Sequence, residues 1–275
     1  LEKFDKELDR CVLCGSKDIY HYHTVSGGIK IYKCKSCGVQ FMNPQYSDEY
    51  LSGYYSKYTK DEPQWEEPLL YYHDYYLSLI EKYTDKGRLL DIGSGKGYLL
   101  ESAFKRGWET EGYDLDESWN KKLSKKLNIE IKSGNFPELT WDKIFDVVIM
   151  HHVIEHLKNP VLYIDKIKIL LKEGGLLFLV QPNINSRSAI FKRTLEKTGI
   201  RKTNVGAYYD TNHHLFYYTP APLKLFLSKN GFEVLSVKSG HAARPDQSKL
   251  KRFYLRNISD KMLWKSTFLM ICRKK

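Results

Sequence analysis

Hydrophobic and polar positions along the chain follow two periods. Short apolar runs recur at Arg88–Gly93, Glu109–Asp114, Ile129–Lys132, Phe145–Met150, Leu176–Val180, Phe232–Val237 and Thr267–Cys272, and their length and β-branched content predict strands. Helical spacing separates them, as at Leu99, Leu100, Ala103 and Phe104. A second helical pattern spans residues 160–172 (Val161, Ile164, Ile167, Ile169, Leu170, Leu171), with Gly174-Gly175 as its stop. Strands alternating with helices predict an α/β fold: a mostly parallel sheet covered by helices on both faces. Ahead of that block, Tyr20–Val25 and Ile29–Lys33 flank Gly27-Gly28 and predict a hairpin. Residues 46–65 follow neither period. Tyrosines at 46, 50, 54, 55 and 58 crowd this stretch, with Gly53 inside it and Pro63 and Pro68 at its end. Flexible linkers rarely carry such aromatic density, so 46–67 is expected to be a lid, or aromatic packing between two modules. The expected organisation is a module at 1–45, this connector at 46–67 and the main domain at 68–275, with a substrate-side insertion at 187–219.

Composition narrows the class. A chain of 275 residues can bury one sizeable α/β core and a small module besides. No apolar run approaches a membrane span and no signal-peptide pattern opens the sequence, so a cytoplasmic protein without membrane contact is expected. The net charge of +11 is unevenly spread: residues 187–275 hold nineteen Lys/Arg against five Asp/Glu. That excess suits a phosphate-bearing substrate, and equally a solvated basic face.

Cysteine spacing adds a metal. Cys11-x-x-Cys14 and Cys34-x-x-Cys37 are each followed by glycine, Gly15 and Gly38. Four thiolates on two knuckles joined by a hairpin predict a zinc ribbon with closed, structural coordination of Zn²⁺. Disulfides are the alternative, disfavoured in the cytosol. His21 and His23 are either further ligands or exposed hairpin residues, and Cys272 reads as an inert core thiol. A ribbon of this size lacks a core of its own, so its folding should depend on metal.

The most specific signal is Arg88-Leu-Leu-Asp-Ile-Gly-Ser-Gly-Lys-Gly97. A buried strand enters a turn whose glycines permit a tight bend and close approach by a ligand. Asp114 falls where the tip of the next strand can offer a carboxylate to ribose hydroxyls. The glycine spacing differs from the dinucleotide and P-loop patterns, and Asp91 argues against a phosphate here. The stretch resembles motif I of the class I S-adenosylmethionine (SAM)-dependent methyltransferases. That resemblance implies a Rossmann-like seven-stranded sheet with the last strand antiparallel, and SAM as cofactor. Asp91, Gly93, Ser94, Gly95 and Gly97 would hold the methionine part, and Asp114 with Leu115 the ribose. Asn135 and Phe136, where relatives often carry Gly-Asp-Phe, would meet the adenine; His151 and a tyrosine among 54, 55 and 58, with Tyr54 foremost, would complete the site.

Residues 145–157 are similar to the subgroup containing ubiquinone-biosynthesis O-methyltransferases, and His213–Pro220 resembles relatives in surface-sugar and natural-product pathways. The subgroup's Glu-x-x-Glu-His, able to bind a divalent cation, is here His152-x-x-Glu155-His156; a histidine in the leading place is less suited to a hard ion. His152 is therefore the expected general base, with Glu155, His156 and His214 as further catalytic candidates and a divalent cation as the alternative. His213 or His214 could be the base instead, and Glu155 and His156 could simply brace the next helix. The functional expectation is O-methylation of a phosphate-bearing small molecule such as a sugar or nucleotide-linked sugar. Its rivals are an RNA methyltransferase gripping a backbone through Lys249, Lys251, Arg252 and Arg256, and a non-catalytic SAM-fold adaptor.

Overall fold

A computed structural model of the chain describes residues 2–25, 27–61, 66–198, 209–240, 248, 250 and 262–275. The N-terminal part contains β1 (Ile19–Val25), β2 (Ile29–Cys34) and β3 (Gln40–Met42), followed by helices α1 (Asp48–Asp61) and α2 (Glu66–Ile80). The main block runs β4 (Arg88–Ile92), α3 (Tyr98–Lys105), β5 (Glu109–Tyr113), α4 (Glu117–Leu127), β6 (Ile131–Lys132), β7 (Phe145–His151), α5 (Pro160–Leu170) and β8 (Leu171–Pro182). It closes with α6 (Arg187–Lys197), β9 (Phe216–Tyr217), α7 (Pro220–Lys229), β10 (Phe232–Ser239) and β11 (Thr267–Lys274).

Seven strands form one sheet in the order β10-β11-β8-β7-β4-β5-β6. β4 pairs in parallel with β5 and β7, whereas β11 runs antiparallel to both β8 and β10. This is the Rossmann-like seven-stranded sheet that the resemblance implies, antiparallel last strand included. Alternate residues of the central strands feed opposite faces. Leu89, Val147, Ile149 and Phe178 pack under α2 and α3, while Leu90, Val148 and Met150 pack against α5 and α7. Strand order reverses between β4 and β7, and at such a switch point the carboxyl ends of two strands diverge around a crevice.

The N-terminal hairpin is fused to this block. β1, β2, β3 and β9 make a second sheet, with Gln40 opposite Tyr217 and Phe41 opposite Phe216. Val25 and Ile31 share a small core with Ile184, Tyr209 and Tyr217. Two side-chain bonds reinforce the seam: Tyr46 Oη donates to the Thr211 carbonyl at 2.6 Å, and Tyr209 Oη donates to Gln40 Oε1.

Two expectations change. The helix predicted over 160–172 ends at Leu170, because Leu171 is already extended (ψ 137°) and pairs with Phe145 at the start of β8. The tyrosine-rich connector contains a helix, α1; its first tyrosine, Tyr46, is buried at 1% exposure and serves the aromatic packing between module and main block. The side chain of Tyr58, the tip of the 187–219 insertion and the basic residues Lys249, Lys251, Arg252 and Arg256 lie outside the described residues.

Candidate functional site

The loop after β4 is held in place by its own backbone. The Gly93 and Ser94 N–H groups donate to the Tyr113 carbonyl at 2.7 and 3.0 Å, tying the turn to the end of β5. Gly93 adopts φ +75°, and a Cβ there would collide with Val153 of the loop after β7. Only glycine lets these two loops touch. Gly95 also has positive φ, and a Cβ on it would meet open space. Asp114 accepts from the Gly95 N–H at 2.8 Å through Oδ2 and from the Asp116 N–H at 3.0 Å through Oδ1. Beneath the turn, burial and then the neighbouring Asp114 carboxylate push Asp91 well above the ordinary carboxylate range. Ser94 Oγ is buried and unpartnered among the described residues. Two carboxylates, a row of backbone amides and an orphan hydroxyl form a cradle suited to a cationic ligand with hydroxyl groups, and unsuited to a phosphate.

Other members of the expected cofactor set lie nearby in different roles. Leu115 is exposed, and Asn135 is exposed where the chain leaves β6. Phe136 departs from expectation. Its ring is 0% exposed, stacked on Tyr163 at 5.2 Å and packed beside Tyr113 at 4.9 Å, so it offers no face to an adenine ring and belongs to the core.

The loop after β7 carries the second group. His152 holds a left-handed backbone (φ +56°), pinned by its N–H donating to the Val180 carbonyl at 2.8 Å. A non-glycine residue in that region is strained and persists only where its surroundings enforce it. Here the result is that His152 Nδ1 meets Glu155 Oε1 at 3.1 Å. Glu155 is 1% exposed, and its other oxygen, Oε2, is buried without a partner among the described residues. Burial opposes its ionisation, but the bond from His152 and the surrounding histidines outweigh it and hold the carboxyl below its usual range.

His156 comes from the same loop, and His213 and His214 come from the insertion. The His156 and His213 rings stack at 4.6 Å, and His214 stands edge-on to both at 4.7 Å. Backbone bonds align the two segments, with the Leu215 N–H donating to the Glu155 carbonyl at 2.9 Å. Burial pushes His156 and His213 down to about 4 and lowers His214 as well. Tyr54 stacks on His213 at 4.8 Å, which places it at this cluster and not at the glycine turn. His151 leads to a residue that the sequence reading passed over: its ring lies 4.8 Å from His152, 5.4 Å from Tyr76 and 5.6 Å from His73. His73 is buried and pushed down to about 4 by burial alone. The spacing of His73 and Tyr76, one turn apart on α2, was the available signal.

In the N-terminal module, Cys11 Sγ lies 3.7 Å from Cys37 Sγ, and Cys14 Sγ lies 3.6 Å from Cys34 Sγ. All four sulfurs fall within 4.8 Å of one another and none is in a disulfide. Gly15 and Gly38 have positive φ, and each donates its N–H back to the first cysteine of its knuckle. His21 is exposed and bonds Thr24, while His23 stacks on Tyr209; neither joins the sulfur cluster.

Comparison with known proteins places this architecture. Residues 66–237 match the family model described as "Methyltransferase domain". The chain belongs to that family. It is a SAM-dependent methyltransferase with the α/β fold of the class. A ubiquinone biosynthesis O-methyltransferase of Coxiella burnetii (strain RSA 493 / Nine Mile phase I) is 28% identical over 175 residues, spanning 58% of this chain and 70% of the relative. The protein of that name from Pelagibacter ubique is 30% identical over 125 residues, 43% of this chain and 51% of its own length. Among solved structures, a SAM-dependent methyltransferase from Archaeoglobus fulgidus superposes with a TM-score of 0.53 at 20% identity, covering 80% of this chain and 99% of its own. The plantazolicin methyltransferase in complex with SAH gives 0.51 at 18% identity, over 82% and 90% respectively. The family match begins after the cysteine module, which lies outside it. No helix among the described residues is long and apolar enough to cross a membrane.

Proposed function

We propose that this methyltransferase modifies a hydroxyl of a small molecule and that the His152–Glu155 pair takes the acceptor's proton. The observation that carries the reading is the 3.1 Å contact between His152 Nδ1 and Glu155 Oε1, one residue from Val153, against which Gly93 packs. The base therefore stands beside the cofactor turn. With Nδ1–H donated to the carboxylate, Nε2 keeps the lone pair that accepts a proton. Glu155 fixes that tautomer and stabilises the imidazolium that forms.

Bound SAM supplies an electrophilic methyl group on a positively charged sulfur. Asp91, Gly93, Ser94, Gly95 and Gly97 would hold its methionine part, Asp114 and Leu115 its ribose, and Asn135 its adenine amino group; His151 borders the methionine end. The pairing of Asp91 with Asp114 supports this assignment, because a nearby cation offsets the cost of keeping two carboxylates close. Tyr54, His156 and His214 would line the acceptor's side. Relatives named O-methyltransferases support oxygen as the acceptor atom. The phosphate-bearing sugar suggested by the basic C-terminal third and by the resemblance of His213–Pro220 gains no support from this site, whose converging groups are imidazoles, a carboxylate and tyrosine. Cys11, Cys14, Cys34 and Cys37 would bind a structural Zn²⁺, since four sulfurs leave no open position.

The test is transfer of a labelled SAM methyl group into a small-molecule extract and, separately, into total RNA. Label in an ether-linked small product, lost in His152→Gln, is expected. Label confined to RNA, or to an amine, would reject the reading.

A further inference from the structure

We infer that His156, His213 and His214 form a second metal site, open to substrate, for a borderline first-row ion such as Zn²⁺. The inference rests on the proposed hydroxyl chemistry for the ion's role, but not for its binding. Each of the three histidines offers a ring nitrogen, and these atoms lie within 4.8 Å of one another. Zinc–nitrogen bonds of about 2.0–2.1 Å in a tetrahedron put ligand nitrogens roughly 3.4 Å apart. Closing the set takes shifts of about an ångström and a turn of the His156 and His213 rings out of their parallel stacking, so that their in-plane lone pairs converge; all three side chains remain partly accessible.

The surroundings are those of ligands held for metal. His156 Nδ1 faces the His213 carbonyl at 3.4 Å, a contact in which only the ring N–H can donate, so Nε2 is left as the lone-pair atom. His213 Nδ1 has Asp210 Oδ1 at 3.9 Å. Next to His156, the Glu155 carboxylate is sealed from solvent, and its Oε2 has no partner among the described residues. A cation offsets that buried charge. The site differs from the His152-x-x-Glu155-His156 arrangement, because His152 and Glu155 are already bonded to each other.

Three imidazoles select zinc and its neighbours over magnesium, which requires oxygen ligands. Three protein ligands also leave a fourth position, the arrangement of catalytic and not structural zinc. The ligand class that fits there is a hydroxyl oxygen. Its pKa falls on coordination, and His152, in the same loop as His156 and bonded to Glu155, would take the proton released.

The experiment is cobalt titration of the metal-stripped full chain, read by absorption and by metal content after dialysis. Wild type should bind two equivalents, one with the sulfur-to-cobalt charge-transfer band of a thiolate site and one without. His214→Gln and His156→Gln should each bind one equivalent and keep the charge-transfer band, which also reports that the protein is folded. Zinc added to the wild type should lower the pH midpoint of methyl transfer by about one unit, a shift absent in His214→Gln. A single equivalent in wild type, or two in both variants, would overturn the inference. Methyl transfer at full rate with only the thiolate site filled would overturn the ion's role and leave the hydroxyl chemistry standing. Two equivalents with label entering only amines would reject the hydroxyl acceptor and keep the metal site.

Discussion

The glycine turn and the loop that carries His152 and His156 meet where Gly93 packs on Val153, but the turn and the histidine cluster are built by opposite means. The turn comes from one unbroken stretch, β4 and the start of α3, closed by Asp114 at the end of the adjacent strand. Its geometry is dictated locally, by positive-φ glycines and by backbone bonds to Tyr113. The cluster is assembled from α1, the loop after β7 and the insertion before β9. Those parts are held in register by β3 pairing with β9 and by the bond between Tyr209 and Gln40, 169 residues apart in the chain. The second cysteine knuckle, Cys34–Cys37, immediately precedes β3, and the first, Cys11–Cys14, converges on it. One side of the site therefore depends on local rules, and the other depends on a remote module staying folded.

The comparison can be broken by substitutions that act on one side alone. The largest effect is expected from His152→Gln: kcat down about 10²–10⁴-fold, with SAM affinity unchanged by calorimetry. Equal loss of SAM binding would mean the two sides are not separable there. Next comes Cys11→Ser with Cys34→Ser. Loosening β3 displaces His213 and His214, and a shift of about an ångström in catalytic groups costs about 10²-fold in methyl transfer. SAM affinity should stay within about twofold. Asp114→Ala does the converse: it strips the Gly95 and Asp116 N–H groups of their acceptor, and the Kd for SAM should rise about 10- to 100-fold.

The smallest effect concerns a third element, α2, which touches the site through His151. His73 is neutral in the fold down to a pKa of about 4 but protonates near its ordinary value of 6.5 when unfolded. The unfolded state thus binds more protons between those values, and stability falls as pH drops from 6.5 to 4. Denaturant unfolding should show His73→Gln losing less stability than wild type across that window, by roughly 3 kcal/mol at most. An identical pH slope would show that His73 is not the group responsible.

The same contrast explains what the sequence revealed. β4, β5 and β7 fall within a residue of their predicted ends, since each is a short apolar run bounded by a turn. The hairpin and the four converging cysteines were legible from spacing. β9, two residues long, was not, because it exists only by pairing with β3. Phe136 was assigned by its place in a motif, but its neighbours Tyr113 and Tyr163 decide its burial, and they are distant in sequence. His152, Glu155 and His156 were legible as a group, but not their division into a hydrogen-bonded pair and a member of a histidine trio. That division depends on the turn at His152 and on which segment lies across the loop.

Amide hydrogen exchange followed by mass spectrometry, comparing wild type with Cys11→Ser/Cys34→Ser, tests most directly whether the cysteine module holds the histidine side. The account predicts that residues 209–218 lose protection together with 11–42, while 88–114 keep theirs. Undiminished protection at 209–218 in a variant whose knuckles have opened, or equal loss at 88–114, would contradict it.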